Sequence, residues 1–102
     1  KAKYVIHTVG PIYRDGHHGE STLLENAYKN SLKLASSKSI KTIAFPSIST
    51  GAYGYPLEEA AGIALKTAIT YLKEHTDMEL IRFVLFGHKT LEVYERVLKR
   101  VS

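Results

Sequence analysis

Residues 45 to 56 read Phe45-Pro46-Ser47-Ile48-Ser49-Thr50-Gly51-Ala52-Tyr53-Gly54-Tyr55-Pro56, and none of these side chains carries a charge. The residues that lead into this stretch, Thr42 to Phe45, form a short apolar run that predicts a buried strand. The residues that follow repeat small and apolar side chains at helical spacing, namely Leu57, Ala60, Ala61, Ala64, Leu65, Ala68 and Leu72. The stretch therefore joins a strand to the N-terminus of a helix, which indicates an α/β fold.

The loop between these two elements has the composition of an anion-binding turn. Gly51 and Gly54 permit a positive φ and the close approach of a ligand. Pro56 suits the first position of the helix, where its missing N–H costs nothing. Such a turn directs successive backbone N–H groups and the positive end of a helix dipole into one hollow, where a phosphate fits.

The same composition also has a purely structural interpretation, because strand-to-helix corners are commonly rich in Gly, Ser and Pro. Phosphate motifs do not decide between the two. Gly51-Ala52-Tyr53-Gly54 lacks the third glycine of the dinucleotide fingerprint, and no Gly-Lys-Ser/Thr of a nucleoside triphosphatase occurs in the chain. An anion at this loop would be held by amides, which suits a diphosphate ester.

The rest of the chain repeats the order of strand and helix. A continuous apolar run predicts a strand at Lys3 to Val9, which requires cover on both faces. A further strand is predicted at Leu80 to Phe86, which is apolar except for Arg82. We therefore predict an α/β fold with a three-layer α/β/α arrangement, of which this chain supplies a partial parallel sheet of about three strands alternating with three helices.

Cap patterns and periodicity locate the first and last helices. Thr22 and Glu25 match a capping-box pattern, so a helix is expected to begin near them. The apolar side of this helix is formed by Leu24, Ala27, Tyr28, Ser31, Leu32 and Ala35. Thr90 is expected to cap the last helix, with one face formed by Leu91, Tyr94, Leu98 and Val101. Gly62 inside the middle helix predicts close packing on the sheet.

Composition limits the class of protein. The chain has 102 residues, 44% of them hydrophobic, which suits one small globular domain. No apolar stretch reaches membrane-spanning length, and no membrane partner is predicted. The absence of cysteine excludes disulfides and thiolate metal sites and fits a cytoplasmic location. The net charge of +4 favours a polyanionic partner, but the basic residues are scattered, so nucleic-acid binding is only a minor alternative.

Some polar residues have both a functional and a structural interpretation. His17 and His18 could bind a metal, but adjacent histidines in a loop without a third ligand at suitable spacing are more typical of solvated surface. Glu58 and Glu59 could be catalytic acids, although glutamates in a first helical turn usually complement the dipole. The hydroxyls of Ser47, Ser49 and Thr50 lack a base at an interpretable spacing, which disfavours a nucleophile.

The stretch Ile48 to Pro56, with Phe45-Pro46 before it and Glu59-Ala60-Ala61 after it, resembles the second ligand loop of macro domains. The resemblance extends over almost the whole chain, including Tyr4-Val5-Ile6-His7-Thr8-Val9-Gly10-Pro11 and a helix with Glu20, Leu23, Leu24, Ala27, Tyr28, Asn30, Ser31, Leu32, Leu34 and Ala35. It is strongest to the branch of bacterial O-acetyl-ADP-ribose deacetylases and mono-ADP-ribosyl hydrolases. The family's first strands and first glycine-rich ligand loop have no counterpart, so residues 1–102 are expected to form the C-terminal portion of a macro domain.

The resemblance implies a ligand and its site. ADP-ribose or a derivative is expected to bind at Ser49, Thr50, Gly51, Ala52, Tyr53, Gly54 and Phe86. Backbone groups of residues 49–54 would wrap the diphosphate and distal ribose, and Tyr53 would pack against that ribose. Phe86, at the C-terminal end of a parallel strand, would face the adenine. From the pattern alone, Phe86 is equally consistent with an ordinary core residue.

The resemblance also implies an activity for the parent domain, the hydrolysis of ADP-ribosyl esters such as O-acetyl-ADP-ribose or mono-ADP-ribosylated acidic side chains. A mono-ADP-ribosylated protein would then be a partner. The acid that assists the family's reaction belongs to the segment without a counterpart here, so no catalytic residue is assigned. No cofactor or metal is expected. A noncatalytic ADP-ribose reader is the alternative.

Overall fold

The computed structural model describes residues 10–51 and 53–102. These residues form, in order, α1 (Glu20–Ser37), β1 (Thr42–Phe45), α2 (Leu57–Glu74), β2 (Leu80–Phe83) and α3 (His88–Val101). The strand predicted at Lys3 to Val9 and the predicted ligand residue Ala52 lie outside the described residues. None of the helices in the described part combines the length and hydropathy that a membrane crossing requires.

The two strands pair in parallel, with Thr42 opposite Leu80 and Phe45 opposite Phe83. Helix α2 is the crossover between them, as the order of elements predicted. Strand β1 has the predicted bounds, whereas β2 ends at Phe83, before the predicted end at Phe86. Because the strands are parallel, the 46–55 loop and the 84–87 connection both leave from the same edge of the sheet.

Only one face of this sheet is covered by the described residues. Burial alternates along both strands, so that Phe45 and Phe83 point to the covered face while Ala44 and Leu80 are exposed. Both outer helices reach the covered face, because Tyr28 of α1 and Tyr94 of α3 each contact the Phe83 ring. The strand for which cover on both faces is predicted, Lys3 to Val9, lies outside the described residues, so that prediction is not tested here.

Helix α1 buries all six positions of its predicted apolar side. The helix begins at Glu20 after Gly19, near the predicted start, but its N-cap makes no side-chain hydrogen bond. Gly19 has a φ of 72°, a left-handed conformation that glycine adopts without strain. The Thr22 capping box therefore does not form, since Thr22 already lies within the first turn.

The other two helices also differ from the predicted caps. Pro56 is the N-cap of α2 and not its first helical residue, since its ψ of 127° is extended. Helix α3 starts at His88 after Gly87, so Thr90 lies in the first turn and does not cap the helix. Helix α2 buries five of its predicted positions together with Tyr71, whereas Leu72 is exposed.

The buried face of α3 is rotated from the predicted one. Val93, Tyr94 and Val97 are buried, whereas Leu91 and Leu98 are exposed. Tyr94 contacts Phe83 of the sheet, and Val97, one turn further along, faces the core with it. Val93 lies four residues before Val97 and is buried on the same side. Counting apolar residues at helical spacing did not distinguish these two overlapping faces.

The close packing predicted at Gly62 is not seen among the described residues. A Cβ built on Gly62 would meet no atom of the described residues within 4 Å. Within residues 10–51 and 53–102, the glycine therefore lacks the close neighbour that would account for its cost in a helix.

Candidate functional site

The 46–55 loop connects β1 to α2 and is closed by its own hydrogen bonds. The Tyr55 N–H donates to the Ser49 carbonyl at 2.8 Å, and the Gly54 N–H donates to the Gly51 carbonyl at 3.0 Å. Ser49 has a φ of 67° and Gly54 a φ of 71°, so the chain turns sharply at both positions. The Thr50 hydroxyl donates to the Ser47 carbonyl at 3.0 Å. These bonds make the loop a compact turn at the C-terminal edge of the sheet.

Four of the predicted ligand residues have backbone N–H groups without a partner in the described part of the chain. The N–H groups of Ser49, Thr50, Gly51 and Tyr53 donate to no group within residues 10–51 and 53–102. Helix α2 begins directly after the loop and adds the unpaired amides of its first turn. The structure therefore brings several free donors and a helix N-terminus close together along the chain, the combination that attracts an anion.

Gly54 has a different role from these four residues. Its N–H is already bonded to the Gly51 carbonyl, so it closes the turn and is not a free donor. Its positive φ fits the prediction that a glycine is needed at this position. Ala52, the remaining loop residue of the predicted site, is outside the described part.

Phe86 is 81% exposed and lies in the connection that follows β2. The alternative that it is an ordinary core residue is therefore wrong. The connection begins beside the loop, because the Val84 N–H donates to the Phe45 carbonyl at 2.8 Å. The contact between Phe86 and an adenine stays a prediction.

Two buried tyrosines hold the loop from inside, a role that the sequence analysis missed. The Tyr28 hydroxyl of α1 accepts a hydrogen bond from the Ile48 N–H at 2.9 Å and donates to the Pro46 carbonyl at 3.4 Å. The Tyr94 hydroxyl of α3 shares a hydrogen bond of 2.7 Å with the Ser47 hydroxyl. Helical spacing indicated only that both residues face the core. A buried tyrosine usually finds a hydrogen-bond partner, and this was the available signal.

The 10–19 connection packs against the same loop. A Cβ on Gly10 would lie 2.5 Å from Ile48 Cγ2 and still closer to the Ser49 hydroxyl, so only a glycine fits without a shift of the loop. The Tyr13 N–H donates to the Tyr53 carbonyl at 2.9 Å. The Ser49 hydroxyl is buried and has no hydrogen-bond partner in the part of the chain that the structure describes. These contacts place the first connection beside the predicted ligand loop.

Glu20 organises the 10–19 connection. Its side chain is buried, and its carboxylate accepts hydrogen bonds from the N–H groups of Arg14, Asp15, Gly16 and His18, over distances of 2.7–3.2 Å. These bonds, with that from Arg14 the strongest influence, lower the pKa of Glu20 to about 2 although burial acts in the opposite direction. Glu20 is therefore an ionised structural anchor at neutral pH.

The structure brings two acids close to His18, a proximity that the sequence analysis missed. The ligand atoms of Asp15, His18 and Glu20 all lie within 4.8 Å of one another. His18 Nδ1 lies 2.9 Å from Asp15 Oδ1, and both side chains are exposed. Both oxygens of Glu20 already accept backbone N–H groups, which compete with any cation. His17 is exposed and does not belong to this group.

Glu58, which was considered as a catalytic acid, forms ion pairs between α2 and α3. Its carboxylate accepts hydrogen bonds from Arg96 at 3.0 Å and from Arg100 at 3.1 Å. The bonds from Arg100 and Arg96 lower the pKa of Glu58. The arrangement supports the structural interpretation of Glu58 and engages two of the basic side chains of α3.

Comparison with known proteins agrees with this arrangement of elements and loops. The family model described as Macro domain matches residues 1–64, which is more than half of the chain. The chain belongs to the macro domain family. The resemblance found from the 46–55 loop is thereby confirmed, and so is the α/β fold class.

Curated relatives of this macro domain include a macro domain-containing protein from Caldanaerobacter subterraneus subsp. tengcongensis. It is 54% identical over 102 residues, which make up 100% of this chain and 58% of that protein. A protein named O-acetyl-ADP-ribose deacetylase from Citrobacter koseri is 52% identical over 97 residues, 95% of this chain and 55% of that protein. The chain thus spans somewhat more than half the length of these relatives.

Solved macrodomain structures are similar to this domain in fold as well as sequence. The Oceanobacillus iheyensis macrodomain with ADP has a TM-score of 0.87 and 47% identity, over 92% of this chain and 49% of that chain. The Trypanosoma brucei macrodomain in complex with ADP-ribose has a TM-score of 0.84 and 36% identity, over 93% of this chain and 39% of that chain.

Proposed function

We propose that this macro domain binds ADP-ribose through the 46–55 loop. The observation that carries the proposal is that the N–H groups of Ser49, Thr50, Gly51 and Tyr53, shortly before the N-terminus of α2, have no acceptor among the described residues. The loop contains no acidic side chain that would repel a diphosphate and no lysine that would hold one as a point charge. The solved relatives with ADP and ADP-ribose support the same ligand class.

Two exposed aromatic residues lie on connections at the same edge of the sheet. Tyr53 is 39% exposed within the loop, and Phe86 is 81% exposed after β2. Exposed aromatic side chains are suited to packing against a sugar or a base, since they bring a large apolar surface. We assign Tyr53 to the distal ribose and Phe86 to the adenine, with the diphosphate on the loop amides between them.

Calorimetric titration of the native protein with ADP-ribose and with AMP tests this assignment. ADP-ribose is expected to bind more tightly, since AMP lacks the second phosphate and the distal ribose. Gly51→Glu is expected to abolish binding, because the new carboxylate lies where the phosphates bind. No binding of ADP-ribose, or equal binding of both nucleotides, would contradict the distal-ribose assignment.

Gly51→Ala is the matched control for this substitution. A Cβ at Gly51 meets no described atom within 4 Å, so alanine is expected to fold and to retain most of the affinity. If Gly51→Glu binds ADP-ribose as well as Gly51→Ala does, the phosphates bind elsewhere.

We further propose that the whole protein hydrolyses ADP-ribosyl esters, with O-acetyl-ADP-ribose or a mono-ADP-ribosylated protein as substrate. Support comes from the relatives named O-acetyl-ADP-ribose deacetylase, at 52% identity in one case. Within residues 10–51 and 53–102, the hydroxyls of Ser47, Ser49 and Thr50 contact neither a histidine nor a carboxylate. This disfavours a serine or threonine nucleophile and favours a water positioned on the bound ligand.

A further inference from the structure

We propose that Tyr28 and Tyr94 are positioning residues for the ligand loop. Their hydroxyls hold Pro46 to Ile48 in place, so that the N–H groups of the residues after Ile48 stay free to bind the ligand. The inference rests on the proposed binding of ADP-ribose. It assigns a role to two side chains that lie on helices outside the loop, α1 and α3.

The contacts of the two phenols cover consecutive residues of the loop. Tyr28 bonds to the Pro46 carbonyl and the Ile48 N–H, while Tyr94 bonds to the side chain of Ser47 between them. The Ile48 side chain is buried, and its N–H has the Tyr28 hydroxyl as its partner. A buried N–H that loses its partner is costly, so the Tyr28 hydroxyl favours this one path of the chain.

The free donors begin directly after this anchored segment. Ser49 has a φ of 67°, which turns the chain at the residue following Ile48. The N–H groups of Ser49, Thr50 and Gly51 then have no partner among the residues that the structure describes. The position of these donors therefore depends on how firmly Pro46 to Ile48 are held. A loop that was not held in place would lose conformational entropy when the ligand bound, and this cost would weaken the affinity.

The positions of both hydroxyls are set by core packing. The Tyr28 ring lies edge-on to Phe45 at 5.0 Å between centroids and to Phe83 at 6.0 Å. The Tyr94 ring lies 5.5 Å from the same Phe83. Burial raises the pKa of both phenols, so each hydroxyl keeps its proton at neutral pH. The strands and outer helices thus fix the loop through two neutral, rigid side chains.

Tyr28→Phe tests the role, because phenylalanine keeps the ring contacts and removes only the hydroxyl. In the native protein we expect the Kd for ADP-ribose to rise about tenfold in calorimetric titration, the effect of about one net hydrogen bond. We expect the Ile48 N–H to exchange with solvent faster in native-state hydrogen exchange. Tyr94→Phe is expected to weaken binding less, since the Ser47 hydroxyl can turn to water.

Tyr71→Phe is the matched control. The Tyr71 hydroxyl is also buried, but it bonds to the Ser36 hydroxyl at 2.6 Å and the Leu32 carbonyl at 3.2 Å, away from the loop. This variant is expected to lose thermal stability while keeping the Kd and the Ile48 exchange rate. Unchanged affinity in Tyr28→Phe, or equal losses of affinity in Tyr28→Phe and Tyr71→Phe, would overturn the inference.

The Kd for ADP-ribose and the exchange rate of the Ile48 N–H test the proposed function and the positioning role separately. If the unsubstituted protein does not bind ADP-ribose, the proposed function is rejected. The exchange rates then decide the positioning role independently, and an Ile48 rate that is the same with and without the Tyr28 hydroxyl rejects it too.

Discussion

Glu20 shows how one side chain organises a whole connection. Its carboxylate accepts hydrogen bonds from the N–H groups of residues 14, 15, 16 and 18, and the connection in turn contacts the ligand loop through Tyr13. Because the pKa of Glu20 is lowered to about 2, its contribution to stability is complete above the ordinary value of 4.5 and is lost as the pH falls towards 2. Glu20→Gln is therefore expected to lower Tm at pH 7 and to reduce the loss of Tm between pH 4.5 and 2.

Glu25→Gln is the control for this residue. Glu25 is half-exposed and pairs with Lys29 at 3.4 Å on the same helix, an arrangement that contributes little to stability. The Tm of the Glu25→Gln variant is expected to equal that of the unsubstituted protein across the pH range. Equal melting of Glu20→Gln and the unsubstituted protein at pH 7 would show that the four hydrogen bonds do not stabilise the fold.

Helix α2 contains a glycine at which the sequence predicts close packing that the described residues do not show. Gly62 lies within it, and a Cβ there meets no described atom within 4 Å. Gly62→Ala is therefore expected to stabilise the protein by about 1 kcal/mol and to raise Tm by about 4–8 °C, because alanine favours the helical backbone. Thermal denaturation followed by circular dichroism measures this change.

Gly51→Ala provides the comparison at a position outside any helix. Its Cβ also has free space, so it tests the effect of reducing the freedom of the unfolded chain without the helical preference. Gly62→Ala should raise Tm more than Gly51→Ala. A lower Tm for Gly62→Ala would mean that residues outside the described ranges pack closely against this helix.

The molecule as a whole limits what these residues do by themselves. The described residues place free amides and two exposed aromatic side chains at one edge of the sheet, but no nucleophile with a base. We therefore expect release of ADP-ribose from O-acetyl-ADP-ribose only from the complete native protein, with the same test applied to a mono-ADP-ribosylated acidic protein. Chromatographic detection of free ADP-ribose measures both reactions.

Gly51→Glu is the control for these reactions, because a loss of binding should abolish both. Tight binding of ADP-ribose without release of product from either substrate would leave a noncatalytic reader as the function. Product formation that persists in Gly51→Glu would assign the reaction to a site other than the 46–55 loop.

The sequence by itself determined the order of the elements, the bounds of β1, the buried side of α1 and the family. These features depend on residues close together in the chain, where apolar spacing and loop composition act directly on the local backbone. Only the tertiary structure decided the buried face of α3 and the exposure of Phe86. It also revealed the bonds from Tyr28 and Tyr94 to loop residues 20 and 47 positions away. Such bonds depend on how helices pack across the sheet, and local periodicity does not specify which buried hydroxyl meets which distant backbone group.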